Sequence, residues 1–260
     1  MSWAFTFLGT GTSQGVPVIS CTCEVCQSVD PRDKRLRTSG LLRVGETTLV
    51  FDAGPDFRQQ MLREKVSSLD AVIFTHQHKD HTAGLDDVRA YNYLQDRRMP
   101  VYGTAAVLEH LRKEYYYIFD HGDYPGLPKL DLKEIDPHSE LVIDGVRLIP
   151  IPLMHGRMPV LGYRYQDFAY LTDTNFIPEA SFEKLTGVKT LVIDALRREP
   201  HYSHFSLAES LAAIASIQPE RAYLIHLSHL MGRHEEVEKE LPAGVRLGYD
   251  GLRLGPRVED

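Results

Sequence analysis

The chain has 260 residues, of which 43% are hydrophobic and 25% charged, and its formal net charge is −7. That balance supports an α/β domain with a sizeable core and favours a small anionic substrate over long nucleic acid, which is usually gripped by a basic face. No apolar run approaches the roughly 18 residues of a membrane span, and the opening Met1–Gly9 lacks the basic stretch of a signal peptide, so a cytoplasmic protein is expected.

In chain order, Trp3–Leu8 reads as a strand, followed by the loop Gly9-Thr10-Gly11-Thr12-Ser13-Gln14-Gly15. The three cysteines all lie within Cys21–Cys26, too few and too clustered for a disulfide framework. Arg32, Lys34, Arg35 and Arg37 then form a basic run, read as a solvated loop. Gly40–Val44 and Thr47–Phe51 flank Gly45-Glu46 as a hairpin, closed by Asp52. A helix is expected over Asp56–Glu64 and a buried strand over Ala71–Thr75. The stretch Asp86–Pro137, rich in tyrosine and proline, is expected to cover the core. Its helical runs are Asp87–Gln95 and Ala105–Glu114, and Tyr115-Tyr116-Tyr117 is read as packing.

A second half loosely repeats the first. Val146–Ile151 reads as a strand, and Val160–Tyr165 and Phe168–Leu171 as a pair closed by Asp173. Thr190–Ile193 and Ala222–Ile225 read as buried strands. Between them a helix over Leu207–Ile217 starts at Ser206 and Glu209, which have capping-box spacing. In each half a strand pair ends in an aspartate, Asp52 or Asp173. One domain of residues 1–260, built of two related halves, is expected.

The strongest chemical signal is Thr75-His76-Gln77-His78-Lys79-Asp80-His81. Imidazole and carboxylate suit borderline divalent ions such as zinc and manganese. His76 and His78 would share a face of an extended strand end and so meet one ion, while Asp80 and His81 could reach a second. His155, Asp173 and His226 each follow a strand; singly they are weak candidates, but the common position makes them a set. Cys21, Cys23 and Cys26 have metal-binding spacing and need a fourth donor, for which His229 is the candidate; unligated or redox-active thiols are the alternatives.

His76-x-His78-x-Asp80-His81, with Asp52, His155, Asp173 and His226 in order, resembles the metallo-β-lactamase superfamily over nearly the whole chain. The resemblance implies a four-layer αβ/βα sandwich, an α/β fold that some schemes call α+β. It implies one ion on His76, His78 and His155, another on Asp80, His81 and His226, Asp173 as the bridge, and Asp52 orienting ligands or bound water. With Leu8-Gly9-Thr10-Gly11-Thr12-Ser13, the cysteines and Ile225-His226-Leu227-Ser228-His229, the chain is similar to the phosphoribosyl cyclic phosphodiesterases of carbon–phosphorus lyase pathways. That similarity implies a structural zinc on Cys21, Cys23, Cys26 and His229, two catalytic zinc or manganese ions, and a homodimer.

The function expected is hydrolysis of a small phosphodiester by a hydroxide shared between the two ions, with Asp80 and His204 acting in catalysis. His204, before a helix start, is the chosen general acid, and His201 is its rival. The alternatives are a tRNA 3′-processing endonuclease, against which the acidic balance counts, and a thioester, lactone or β-lactam hydrolase. A di-iron oxidoreductase would carry a carboxylate in place of His78. A non-catalytic scaffold would not keep every ligand position filled.

Overall fold

The computed structural model describes residues 2–120 and 126–256, so Met1 and the stretch 121–125 of the tyrosine-rich segment lie outside it. The chain divides into two compact units. Unit 1 comprises Met1–Leu8, Ser39–Asp136 and Gly251–Asp260; unit 2 comprises Gly9–Thr38 and Pro137–Asp250. The Gly/Thr loop and the cysteines, early in the chain, therefore pack with the second half.

In chain order the described strands are β1 (Trp3–Gly9), β2 (Ser39–Val44), β3 (Thr47–Phe51), β4 (Ala71–Ile73), β5 (Met99–Gly103), β6 (Leu130–Glu134) and β7 (Leu141–Ile143). They continue with β8 (Val146–His155), β9 (Met158–Tyr165), β10 (Phe168–Leu171), β11 (Thr190–Asp194), β12 (Arg221–Ile225), β13 (Val245–Leu247) and β14 (Arg253–Leu254).

Unit 1 holds one mixed sheet in the order β14-β1-β2-β3-β4-β5-β6. β2 and β3 pair antiparallel around Gly45, whose φ of +56° is the left-handed conformation that a tight hairpin needs and glycine tolerates. From β3 to β6 the pairing is parallel. Parallel strands covered on both faces read as continuous apolar runs, and Ala71-Val72-Ile73 is buried throughout. Val72 joins Leu41, Val50, Val101, Leu108 and Leu111 in one core.

Unit 2 holds the second mixed sheet, β13-β12-β11-β10-β9-β8-β7. β7 to β10 are antiparallel neighbours, and β10 to β13 run parallel. β11 is buried at every position, and its core includes Leu153, Leu171, Ile193, Ile214 and Leu224. The helix Leu207–Ile217 starts where the sequence puts it. Ser206 Oγ accepts from the Glu209 N–H, and the Glu209 carboxylate accepts from the Ser206 N–H. Two mixed sheets with flanking helices, one set per unit, give the α/β class expected.

The structure corrects three local readings. The stretch 86–137 is more than a cover, because β5 and β6 inside it are two strands of the unit 1 sheet. Pro100 in β5 and the charged Lys133 and Glu134 in β6 weaken the alternation that marks a strand. Arg35 is not solvated: it is 6% exposed and donates to Thr10 Oγ1 (2.9 Å), the Gly248 carbonyl (2.5 Å) and His234 Nδ1 (3.1 Å). Finally, β4 ends at Ile73, so His76 and His78 stand in the loop beyond the strand. Tyr115 does pack as read: it is buried and its hydroxyl donates to the Thr82 carbonyl. No helix among the described residues is long and apolar enough to cross a membrane.

Candidate active site

In open α/β sheets the polar loops that bind ligands leave the carboxyl ends of parallel strands, and each unit puts its chemistry there. In unit 1, Asp52 follows β3 and the histidine loop follows β4. The fully buried Asp52 accepts from the Thr75 N–H (Oδ1, 2.8 Å), the Thr75 hydroxyl (Oδ2, 2.8 Å) and His81 Nδ1–H (Oδ2, 2.8 Å). Burial pushes the Asp52 carboxyl up from its ordinary value, opposed by His81 and Thr75. The bond to Asp52 selects the His81 tautomer, leaving Nε2 turned to Asp80 Oδ2 at 3.2 Å. His76 packs 4.7 Å from His78 and 4.2 Å from His81, ring centre to ring centre. A short helix, Lys79–Thr82, begins at His78 and carries Asp80 and His81. Behind it, Gly84 lies so close to Gly54 that a Cβ would fall 2.0 Å from the Gly54 carbonyl oxygen. Only glycine permits that approach, which seats the histidine loop on the loop after Asp52.

In unit 2, His155 ends β8, Asp173 follows β10 and His226 follows β12. Donor atoms of His155, Asp173 and His204 lie within 4.8 Å of one another, as do those of Asp194, His204 and His226. Asp173 Oδ2 is 3.2 Å from His226 Nε2, and Asp173 Oδ1 accepts from the Thr172 hydroxyl at 2.5 Å. His155 Nδ1–H donates to the Ser203 carbonyl (2.7 Å), which turns its Nε2 outward from that contact. Asp52, Asp173 and His226 all adopt left-handed backbone, at φ of +63°, +51° and +57°. Such positions cost about 1–3 kcal/mol each and cluster at functional sites.

His204 is buried, and its Nδ1–H donates to Asp194 Oδ2 at 2.9 Å. Its ring stacks on His226 at 4.6 Å. His201, the rival acid, is placed differently: its Nδ1 accepts from the Ser203 N–H at 3.4 Å, and burial lowers its affinity for a proton. Asp194 itself escaped the sequence reading, which ended β11 one residue short, at Ile193. A signal existed, because Asp194 closes an apolar strand as Asp52 and Asp173 do.

The second cluster of unit 2 is Cys21, Cys23, Cys26 and His229. The three Sγ atoms stand 3.3, 3.4 and 3.6 Å from His229 Nδ1. Zn–S of about 2.3 Å and Zn–N of about 2.0 Å set a tetrahedral S···N edge of about 3.5 Å, so the four donors fit that ion. The Cys26 N–H donating to Cys23 Sγ holds that thiol down, to about 6, while burial pushes Cys26 up to about 11. The cluster ties the early loop to the segment after β12, where the Thr12 N–H donates to the Leu227 carbonyl and the Leu227 N–H to the Thr10 carbonyl.

A family profile described as a beta-lactamase superfamily domain matches residues 47–227. A crystal structure of a new diphosphatase from the PhnP family is 39% identical in sequence, covers 98% of this chain and 97% of its own, and superposes with a TM-score of 0.92. A Porphyromonas gingivalis protein named octanoyltransferase is 41% identical over 97% of this chain, which spans only 52% of that protein's length. A ribonuclease Z of Mycolicibacterium paratuberculosis is 25% identical over 85% of this chain and 80% of its own.

Proposed function

We propose that the chain, which belongs to the PhnP family of metallo-β-lactamase-fold hydrolases, cleaves a small phosphodiester, a cyclic ribose phosphate being one candidate. The observation that carries the reading is the Asp194–His204 pair beside Asp173 and His226. Cleaving a phosphodiester expels an alkoxide, which must be protonated as it leaves. A thiolate needs no such help. His204, its Nδ1–H fixed on Asp194, keeps Nε2 for that proton, and the Asp194 charge stabilises the imidazolium that carries it.

The donor chemistry fits two divalent ions, zinc or manganese, since the set consists only of imidazoles and carboxylates. We assign His76, His78 and His155 to one, Asp80, His81 and His226 to the other, and Asp173 to both. Bound there, the ions would bring a shared water's pKa from about 15.7 to near 7 and offset charge on the phosphoryl oxygens. Asp52 holds His81 in the ligating tautomer. Cys21, Cys23, Cys26 and His229 would hold a structural zinc. A cytoplasmic homodimer completes the proposal, and sedimentation checks its oligomeric state.

A second reading, thioester hydrolysis, draws on the name of the Porphyromonas relative, an acyl transferase. One experiment separates the two: turnover of cyclic and linear phosphodiesters, an octanoyl thioester, a chromogenic lactam and precursor tRNA, with metal content measured on the same sample. Diester turnover by protein carrying two catalytic ions and one further zinc is expected. Turnover of the thioester, the lactam or tRNA without the small diesters would replace the proposal.

A further inference from the structure

The helix Lys79–Thr82, which carries Asp80 and His81, is a single turn long. A helix that short does not hold itself, because its first turn fixes several backbone angles for one hydrogen bond. Its geometry has to come from neighbours. The loop after β3 supplies part of it. The Ala53 N–H donates to the His81 carbonyl (2.8 Å), the Gly84 N–H to the Ala53 carbonyl (2.8 Å), and His81 Nδ1–H to Asp52.

A second set of contacts comes from the corner between the helices Ala105–Glu114 and Tyr116–Asp120. Lys79 Nζ donates to Glu114 Oε1 (2.7 Å), and the other oxygen of Glu114 accepts from His110 Nε2 (2.9 Å). The Tyr115 hydroxyl donates to the Thr82 carbonyl (2.7 Å), and the Tyr117 hydroxyl to Asp86 Oδ1 (2.6 Å). Lys79 precedes Asp80 and His81, and Thr82 follows them. Glu114 and Tyr115, adjacent in sequence, therefore grip the turn at both ends, while Tyr117 extends the contact to the next turn, Leu85–Val88.

The two grips are unequal. The Lys79 side chain is 75% exposed, and an exposed ion pair contributes little. Tyr115 is only 5% exposed and Thr82 is fully buried. Its hydroxyl satisfies a helix-end carbonyl that water does not reach, and leaving such a group unpaired is costly.

We infer that Tyr115 is a positioning residue that sets the Asp80–His81 turn, with Glu114 as a minor second grip. What the turn binds rests on the two-ion reading above; the grip itself does not. Partners that orient metal ligands from outside typically change metal affinity about 10–100-fold.

The test titrates zinc, in competition with a chromogenic chelator, into metal-free wild type, Tyr115→Phe and the control Tyr116→Phe, whose ring is largely exposed. In Tyr115→Phe one of the stepwise zinc affinities should fall about 10–100-fold while the others hold, and Tyr116→Phe should match wild type. In parallel, hydrogen exchange of the metal-free proteins is read by mass spectrometry. Tyr115→Phe should exchange faster across residues 78–84 and at the wild-type rate in the β2–β3 hairpin. Where wild type binds zinc at the histidine loop, unchanged zinc affinities in Tyr115→Phe would overturn the positioning role, even if Tm fell. Exchange that is unchanged, or that rises equally throughout unit 1, would also overturn it. If wild type bound no zinc beyond the cysteine site, yet Tyr115→Phe loosened residues 78–84 alone, the two-ion reading would fall and the positioning of the turn would stand.

Discussion

Asp194 accepts two hydrogen bonds on one oxygen, from the Thr174 N–H at 3.0 Å and from His204 at 2.9 Å. That geometry sets a tautomer, so Asp194→Asn should act through His204. With alkoxide-leaving diesters, kcat should fall about 10²–10⁴-fold, and with a p-nitrophenolate leaving group, which needs no proton, less than about tenfold. Equal losses on both substrates, with metal content unchanged, would take His204 out of the acid role. His234 shows the same logic applied to stability. Its N–H donates to Asp33 Oδ1, its Nδ1 accepts from Arg35, and burial with Arg35 and Arg32 nearby lowers it to about 4; Asp30, Asp33 and Glu238 oppose them only in part. Its folded value lies below the unfolded value near 6.5, so the unfolded chain binds the proton first as pH falls. The stability is complete above about 6.5 and is lost toward 4, on the order of 2 kcal/mol. Urea midpoints at pH 7 and 5 should differ more in wild type than in His234→Gln.

At the scale of the element, each candidate site hangs on a strand end followed by a short, constrained turn. The histidine loop after β4 is braced by Asp52 and by the Gly54–Gly84 approach, and the 201–204 segment by His155, Asn175 and Asp194. The cysteine loop is built differently. Its helix, Glu24–Gln27, is one turn long, and the small cluster of Val16, Val25 and Cys26 is its only apolar core among the described residues. So little burial leaves the loop dependent on its cross-link. Cys23→Ser should therefore release one zinc per chain and lower Tm by about 5 °C or more, while kcat changes only a few-fold. Unchanged zinc and Tm in that variant would end the structural-zinc assignment.

For the whole molecule, two units of similar plan repeat one device. An antiparallel pair closes on a left-handed aspartate and continues into parallel strands whose carboxyl ends carry the polar groups. If ions bind only the folded chain, a chelator should abolish turnover and lower Tm by about 5–10 °C at metal levels near a hundred times Kd, and added zinc or manganese should restore both. Activity that survives complete metal removal would exclude the two-ion proposal. The linear order of residues was enough for much of this. The hairpin around Gly45, the capping box at Ser206 and the apolar runs of β4, β11 and β12 are local patterns, and the spacing His76-x-His78-x-Asp80-His81 is a local statement about donors. What depends on distant segments could not be read that way. Pro100 and Lys133 hide β5 and β6 until neighbouring strands supply the pairing. Arg35 looks like a solvated charge until Thr10, Gly248 and His234 surround it. Asp194 acquires a role only when His204, ten residues on, folds back to it. Each of these is a hydrogen bond or burial made by residues brought together through the chain's long-range packing, and short-range periodicity carries no record of that.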